Sequence, residues 1–156
     1  MKNAIAIALL LAAAPAQAAF NPVEFFRGKT HGDGLLKVIF QSQTKISVDS
    51  EGVAEKDGSL LLKQTIHEQE KPPRVRYWRF RQTGANRFEG TLTDAASPVR
   101  VDVKGDQVRI RYQGKNHLNF DQLLTPKNAR EVSNSMRVRR FGITVARFEE
   151  VIRKLD

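Results

Sequence analysis

The feature that most constrains the fold of this chain is a two-residue alternation of apolar and polar side chains. Val99, Val101 and Val103 alternate with Arg100, Asp102 and Lys104. Val108, Ile110 and Tyr112 alternate with Arg109 and Arg111, and Phe88, Gly90 and Leu92 with Glu89 and Thr91. Neighbouring side chains on an extended strand point to opposite faces, so this pattern describes strands with one buried side, whereas an amphipathic helix repeats about every 3.6 residues. Half-buried strands of this kind belong to antiparallel sheets.

Turn-forming residues punctuate the alternation at short intervals. They are Gly32-Asp33-Gly34, Glu51-Gly52, Asp57-Gly58, Pro72-Pro73, Thr83-Gly84, Ser97-Pro98 and Gly105-Asp106. Gly and Asp tolerate the positive backbone angles of tight hairpins. The spacing predicts about eight to ten strands in a meander, and a meander of that length must close or cover its edges. The expected fold is all-β: an antiparallel up-and-down barrel of the lipocalin or calycin kind, with a two-sheet sandwich as the alternative. A short helical turn should precede it, because Asn21-Pro22-Val23-Glu24 supplies an N-cap, a proline at N1 and a glutamate at N3. That turn delivers Phe25 and Phe26 as anchors. The C-terminus reads two ways. Val145, Phe148, Ile152 and Leu155 fall at helical spacing, and Ala146, Phe148 and Ile152 also fit one face of a last strand.

The first 18 residues read as a secretion leader. Lys2 gives a positive start, Ala4 to Ala14 an apolar run of eleven residues, and Ala16-Gln17-Ala18 an A-x-A cleavage site before Ala19. The expected organisation is therefore a leader over 1–18 and one barrel domain over 19–156, exported to a bacterial periplasm. No cysteine follows the cleavage point, or occurs anywhere, so a lipid anchor, disulfides and thiolate sites are all excluded. Past the leader no apolar run approaches the ~20 residues of a membrane-spanning helix. An outer-membrane barrel needs strands with one wholly apolar side. Val75-Tyr77-Arg79-Arg81 against Arg76-Trp78-Phe80 offers neither side clean.

Several segments, in order and at similar spacing, resemble the bacterial domain of unknown function family 3833. Phe25-Phe26-Arg27-Gly28 followed by Gly32-Asp33-Gly34 resembles its F-F-x-G opening and G-x-G. Arg76-Tyr77-Trp78-Arg79-Phe80 resembles an R-x-W-x-I strand, and Phe88-Glu89-Gly90 with Asp94 a Y-x-G-x-A-x-D run. Gly105-Asp106 leading to Tyr112 is similar to G-N-A-x-x-x-x-Y. Phe120-Asp121 is similar to the start of F-D-D-W, and Asn134, Met136, Phe141 and Gly142 to its N-x-x-x-M-x-x-F-G ending. The chain departs from the pattern at Gln122-Leu123, which lack the second carboxylate and the tryptophan. It also lacks the lipobox cysteine of many relatives. The resemblance implies a lipocalin-like barrel, a strand at the C-terminus, a lipid context and no established activity.

Chemistry-bearing motifs are sparse. Gly28-Lys29-Thr30 ends like a phosphate-binding loop, but Val23 stands where the first glycine is needed and no strand precedes it. His31, His67 and His117 lack metal-ligand spacing, and no G-x-S-x-G nucleophile elbow exists. Asp94 and Asp121 read as turn caps or arginine partners. No catalytic residue, metal or cofactor is assigned.

Charge is more informative. The net charge is +9, and residues 71–115 hold eleven basic against four acidic side chains. The densest piece is Arg74-Val75-Arg76-Tyr77-Trp78-Arg79-Phe80-Arg81, where alternation forces one face to carry arginine and aromatics together. If that face lines the interior, its arginine needs a carboxylate such as Asp94 or Asp121, or an anionic ligand. The expected binding residues are Arg76, Trp78, Arg79, Phe88, Tyr112, Phe120 and Asp121, and the expected ligand a fatty acid or anionic phospholipid. A filled barrel docking its basic surface on anionic membrane or protein is the alternative, and an enzyme acting on lipid-derived substrates the third reading. Arginines interleaved with aromatics also hold single-stranded nucleic acid, a partner that export argues against.

Overall fold

The described residues begin on a capped helical turn. In the computed structural model, which describes residues 20–156, the Asn21 side chain accepts hydrogen bonds from the Val23 and Glu24 amides at 2.9 and 3.4 Å. Pro22 lacks an N–H to satisfy and opens α1 (Pro22–Phe26). The expected secretion leader over 1–18 and its expected cleavage point before Ala19 lie outside the described residues.

Ten strands follow: β1 (Gly28–Val38), β2 (Thr44–Ala54), β3 (Leu60–Glu68), β4 (Arg74–Gly84), β5 (Arg87–Leu92), β6 (Val99–Lys104), β7 (Gln107–Gln113), β8 (Leu118–Asn128), β9 (Glu131–Arg140) and β10 (Ile143–Lys154). Each pairs antiparallel with the next, and β10 returns to β1, so the meander closes into the lipocalin-like up-and-down barrel. Closure removes both sheet edges, and their unpaired amides and carbonyls with them.

That closure decides the C-terminal segment. Phe148 sits opposite Leu36 on one side and Met136 on the other, and Ile152 opposite Gly32 and Val132. A helix there would leave the edges of β1 and β9 open. Pairing on two sides therefore overrides the helical spacing of Val145, Phe148 and Ile152.

Two expected turns are instead strand interior. Gly32-Asp33-Gly34 lies within β1 and Glu51-Gly52 within β2. These glycines answer to packing rather than to turning. A Cβ on Gly32 would collide with the Glu150 carboxylate, and one on Gly52 with the Phe26 carbonyl oxygen. The other five turn signals lie in hairpin connections or, for Thr83-Gly84, at the end of β4.

The barrel has unlike ends. At the end where β1 starts, Phe25 and Phe26 of α1 plug the interior against Leu60, Phe80, Phe88 and Val101. Leu60, Val99, Val108, Leu124 and Val132 are almost wholly buried in this closed half. The C-terminus is tied there to the start of β1 and to the β8–β9 connection. The Asp156 carboxylate accepts from the Lys29 amide at 2.9 Å, and Arg130 Nη2 donates to the Lys154 carbonyl at 3.0 Å. The opposite end carries the β1–β2, β3–β4, β5–β6, β7–β8 and β9–β10 connections and remains open.

Candidate functional site

Inward-facing side chains of the open half do not fill it. They leave a cavity of about 420 Å³, walled mostly by apolar groups such as Leu36, Val38, Ile46, Ile66, Met136 and Phe148. Trp78, Tyr112 and Phe120 form an aromatic wall. The Trp78 and Tyr112 rings meet edge to face at 5.7 Å, and Tyr112 stacks on Phe120 at 4.7 Å.

Polar groups enter this wall at positions where a strand's inward phase is otherwise apolar. On β3 the phase runs Leu60, Leu62, Gln64, Ile66; on β8 Phe120, Gln122, Leu124; on β9 Val132, Asn134, Met136; on β10 Phe148, Glu150, Ile152. The β4 phase contributes Arg74 and Arg76 ahead of Trp78 and Phe80, and all four line the cavity.

One amide organises the β3–β4 side. Gln64 Oε1 accepts from Trp78 Nε1 at 2.6 Å and from Arg76 Nε at 2.8 Å, while its Nε2 donates to Ser50 Oγ at 3.1 Å. The Arg76 guanidinium lies 5.1 Å from the Trp78 ring centroid, a cation–π contact. No carboxylate lies within 4 Å of Arg76 among the described residues, and its terminal Nη groups make no hydrogen bond to them. Burial pulls its pKa down, yet a guanidinium keeps its charge. The cavity therefore holds a positive charge whose hydrogen-bonding capacity is only partly used.

Across the lumen Glu150 is 8% exposed and accepts from Asn134 Nδ2 at 2.9 Å. Burial pushes its carboxyl above the ordinary carboxylate range, with Asn134 and Arg76 opposing the shift. Asn134 Oδ1 is buried without a hydrogen-bond partner. Burial also raises the Tyr112 hydroxyl.

Of the seven residues singled out from sequence, Arg76, Trp78, Tyr112 and Phe120 line this cavity. Phe88 also points inward, but it belongs to the packed closed end and to a small crevice beside Phe26 and Phe80. Two placements are corrected. Arg79 and Asp121 fall on the outward phase of β4 and β8. Arg79 pairs outside with Glu55, its Nε donating to Oε2 at 2.8 Å, and Asp121 accepts two bonds from Arg109 at 2.8 and 2.6 Å. Asp94 is the rim partner of Arg74, at 2.7 Å. Sequence reasoning missed Gln64, Asn134 and Glu150, although each interrupts an apolar phase.

The histidines lie elsewhere. His31 and His67 flank Asp49 on the outer wall at 2.7 and 3.2 Å, and His117 sits on the rim against Phe141. Among the described residues no cluster of three or more His, Cys, Asp or Glu could hold a metal ion.

Comparison with solved structures supports the architecture. An S-type phycobiliprotein lyase of Guillardia theta superposes with a TM-score of 0.66 at 5% identity, over 86% of this chain and 91% of that one. A protein of unknown function from the DUF3598 family of Nostoc punctiforme superposes with a TM-score of 0.65 at 12% identity. That match covers 93% of this chain and 53% of the other, so this barrel spans about half of that protein. At such identities the likeness is one of fold. No curated protein matches the chain. The sequence profile described as Protein of unknown function (DUF3833) matches residues 8–154, and the chain belongs to that family.

Proposed function

We propose that the barrel is an exported, periplasmic binding protein for a small amphipathic molecule with an anionic head, of the class of fatty acids or the acyl portion of anionic phospholipids. The observation that carries this reading is Arg76: a guanidinium inside a mainly apolar cavity, held by Gln64 and Trp78, with no carboxylate beside it. The free space of about 420 Å³ lies in the range of small-molecule sites, roughly 300–1,000 Å³.

The magnitudes agree with reversible binding. Burying a sixteen-carbon chain at ~0.8 kcal/mol per methylene is worth about 12 kcal/mol gross. Association costs an estimated 4–15 kcal/mol, which consumes most of that. A charge-assisted hydrogen bond from Arg76 adds roughly 1.5–3 kcal/mol and orients the head.

The test begins with native mass spectrometry of protein purified gently from its own host, with lipid extraction to identify any adduct. A titration with palmitate follows, read by the emission of Trp78, the only tryptophan. A stoichiometric adduct and saturable binding support the reading. Arg76→Leu should weaken palmitate at least tenfold and spare the neutral alcohol of the same length, while Arg79→Ala should change neither. A bare mass with no fluorescence response overturns it.

A further inference from the structure

We propose that the open rim docks on an anionic lipid bilayer through the tips of three adjacent hairpins. The β1–β2 tip presents Ile39 and Phe40, 43% and 100% exposed, and the β9–β10 tip Phe141 and Ile143, 72% and 67% exposed. Because β10 pairs with β1, these tips are neighbours, joined by a hydrogen bond from the Ile39 amide to the Val145 carbonyl at 3.0 Å. The β7–β8 tip joins them through His117, whose ring lies 5.4 Å from that of Phe141.

Backbone conformation marks the same rim. Among the described residues, the non-glycine residues with positive φ are Phe40, Glu70, Asn116, His117 and Phe141, and all five lie in the connections of the open end. A large aromatic side chain rarely adopts this region. Phe40 holds φ 59° with its side chain wholly in solvent, so packing within the fold does not explain the conformation. Strain of this kind persists where a surface has work to do.

The charge around the tips selects the occupant. Lys37, Lys45, Lys115, Arg139 and Arg140 have no carboxylate within 4 Å among the described residues. Elsewhere on the rim, Lys71 pairs with Glu68 and Arg74 with Asp94. The Arg140 guanidinium lies 5.3 Å over the Phe141 ring, which sets a cation and an apolar group at one depth. Aromatic tips entering the interface, ringed by cations at phosphate level, match the surface of an anionic bilayer. The apolar tips also run directly into Val38, Leu118 and Val145 of the cavity wall, giving a dry path between membrane and lumen. The docking holds whichever molecule the cavity takes.

Co-sedimentation with phosphatidylglycerol–phosphatidylcholine vesicles, against phosphatidylcholine alone, tests the proposal. The wild type should pellet with the anionic vesicles and be released by salt. Phe40→Asn and Phe141→Asn should each weaken binding about tenfold. Asparagine accepts positive φ far better, so both variants should melt no lower than the wild type. Palmitate binding read by Trp78 should be unchanged in them, which separates a failed dock from a failed cavity. The proposal is overturned by any of three results: the wild type remaining in the supernatant, equal binding to both vesicle types, or Asn variants that bind like the wild type. A rim that instead joins two copies of the chain, dispersed by Phe141→Asn in sedimentation velocity without vesicle binding, overturns it too.

Discussion

Arg76 donates through Nε to Gln64 Oε1 over 2.8 Å, and that single oxygen also takes the Trp78 indole proton. Gln64 is thus a neutral acceptor for two donors, and neutrality leaves the arginine's charge available to a ligand. Gln64→Glu would supply the missing carboxylate. Stability should move by no more than about 1 kcal/mol, since the new charge arrives with its partner. Affinity for palmitate should drop at least tenfold. Gln64→Leu should instead cost about 2–4 kcal/mol, because two donors lose their acceptor. Urea unfolding and Trp78 titration separate the two effects, and a Gln64→Glu protein that binds palmitate normally would sink the role given to Arg76.

The barrel was legible in sequence because alternation and turn spacing are local signals, and both survive folding. The site was only half legible. Alternation divides β4 into Arg76-Trp78-Phe80 and Tyr77-Arg79-Arg81, but both sets mix charge with aromatics, so one strand alone cannot say which set faces inward. Its neighbours say so. Leu62 lies opposite Trp78 and Gln64 opposite Arg76, which fixes Arg79 outside. The polar groups of the lumen left a readable trace as single interruptions of apolar phases. Glycines misled: Gly32 and Gly52 look like turns, and their true reason is the approach of Glu150 and Phe26, far away in sequence.

Gly52 yields a stability prediction. Its missing Cβ makes room for the Phe26 carbonyl, a backbone group that cannot swing aside. Gly52→Ala should therefore push α1 off the closed end and cost roughly 1–3 kcal/mol, the usual range for overpacking. Denaturant midpoints measure it. An alanine variant as stable as the wild type would show that the plug can shift freely.

On the outer wall, Asp49 bridges His31 and His67, and Asp33 also reaches His31, at 3.2 Å. The hydrogen bond to Asp49 raises the His31 pKa above its ordinary 6.5, and the same bond lowers that of Asp49 below 3.8. A raised histidine stabilises fully below its unfolded value and loses that contribution as pH climbs through the folded one. A lowered aspartate stabilises above its unfolded value and loses that as pH falls. The cluster should thus help most between pH 3.8 and 6.5. The pair is part-exposed, so the contribution should stay within about 1 kcal/mol. Stability at about pH 5.5 and about pH 8 should differ less in His31→Gln than in the wild type. An unchanged difference would remove His31 from the account.

Glu150 gives the sharpest link between pH and the cavity. Burial raises its carboxyl above 4.5, with Asp33 adding to the rise, while Asn134, Arg76 and His31 oppose it. An acid with a raised folded pKa binds its proton more tightly when folded. Stability is therefore greatest at low pH and declines as pH climbs from 4.5 through the folded value. Glu150→Gln keeps an acceptor for Asn134 and removes the ionisable group. The variant should be more stable than the wild type at about pH 8, and the gap should close toward about pH 4. Ligand binding should follow the same proton. Ionised Glu150 opposes an anion and protonated Glu150 does not, so a decyl sulfonate, charged throughout, should bind the wild type several-fold more tightly at about pH 4 than at about pH 8. In Glu150→Gln that affinity should be high and level across the range. Parallel pH profiles in the two proteins would mean that Glu150 and the anion never share the lumen.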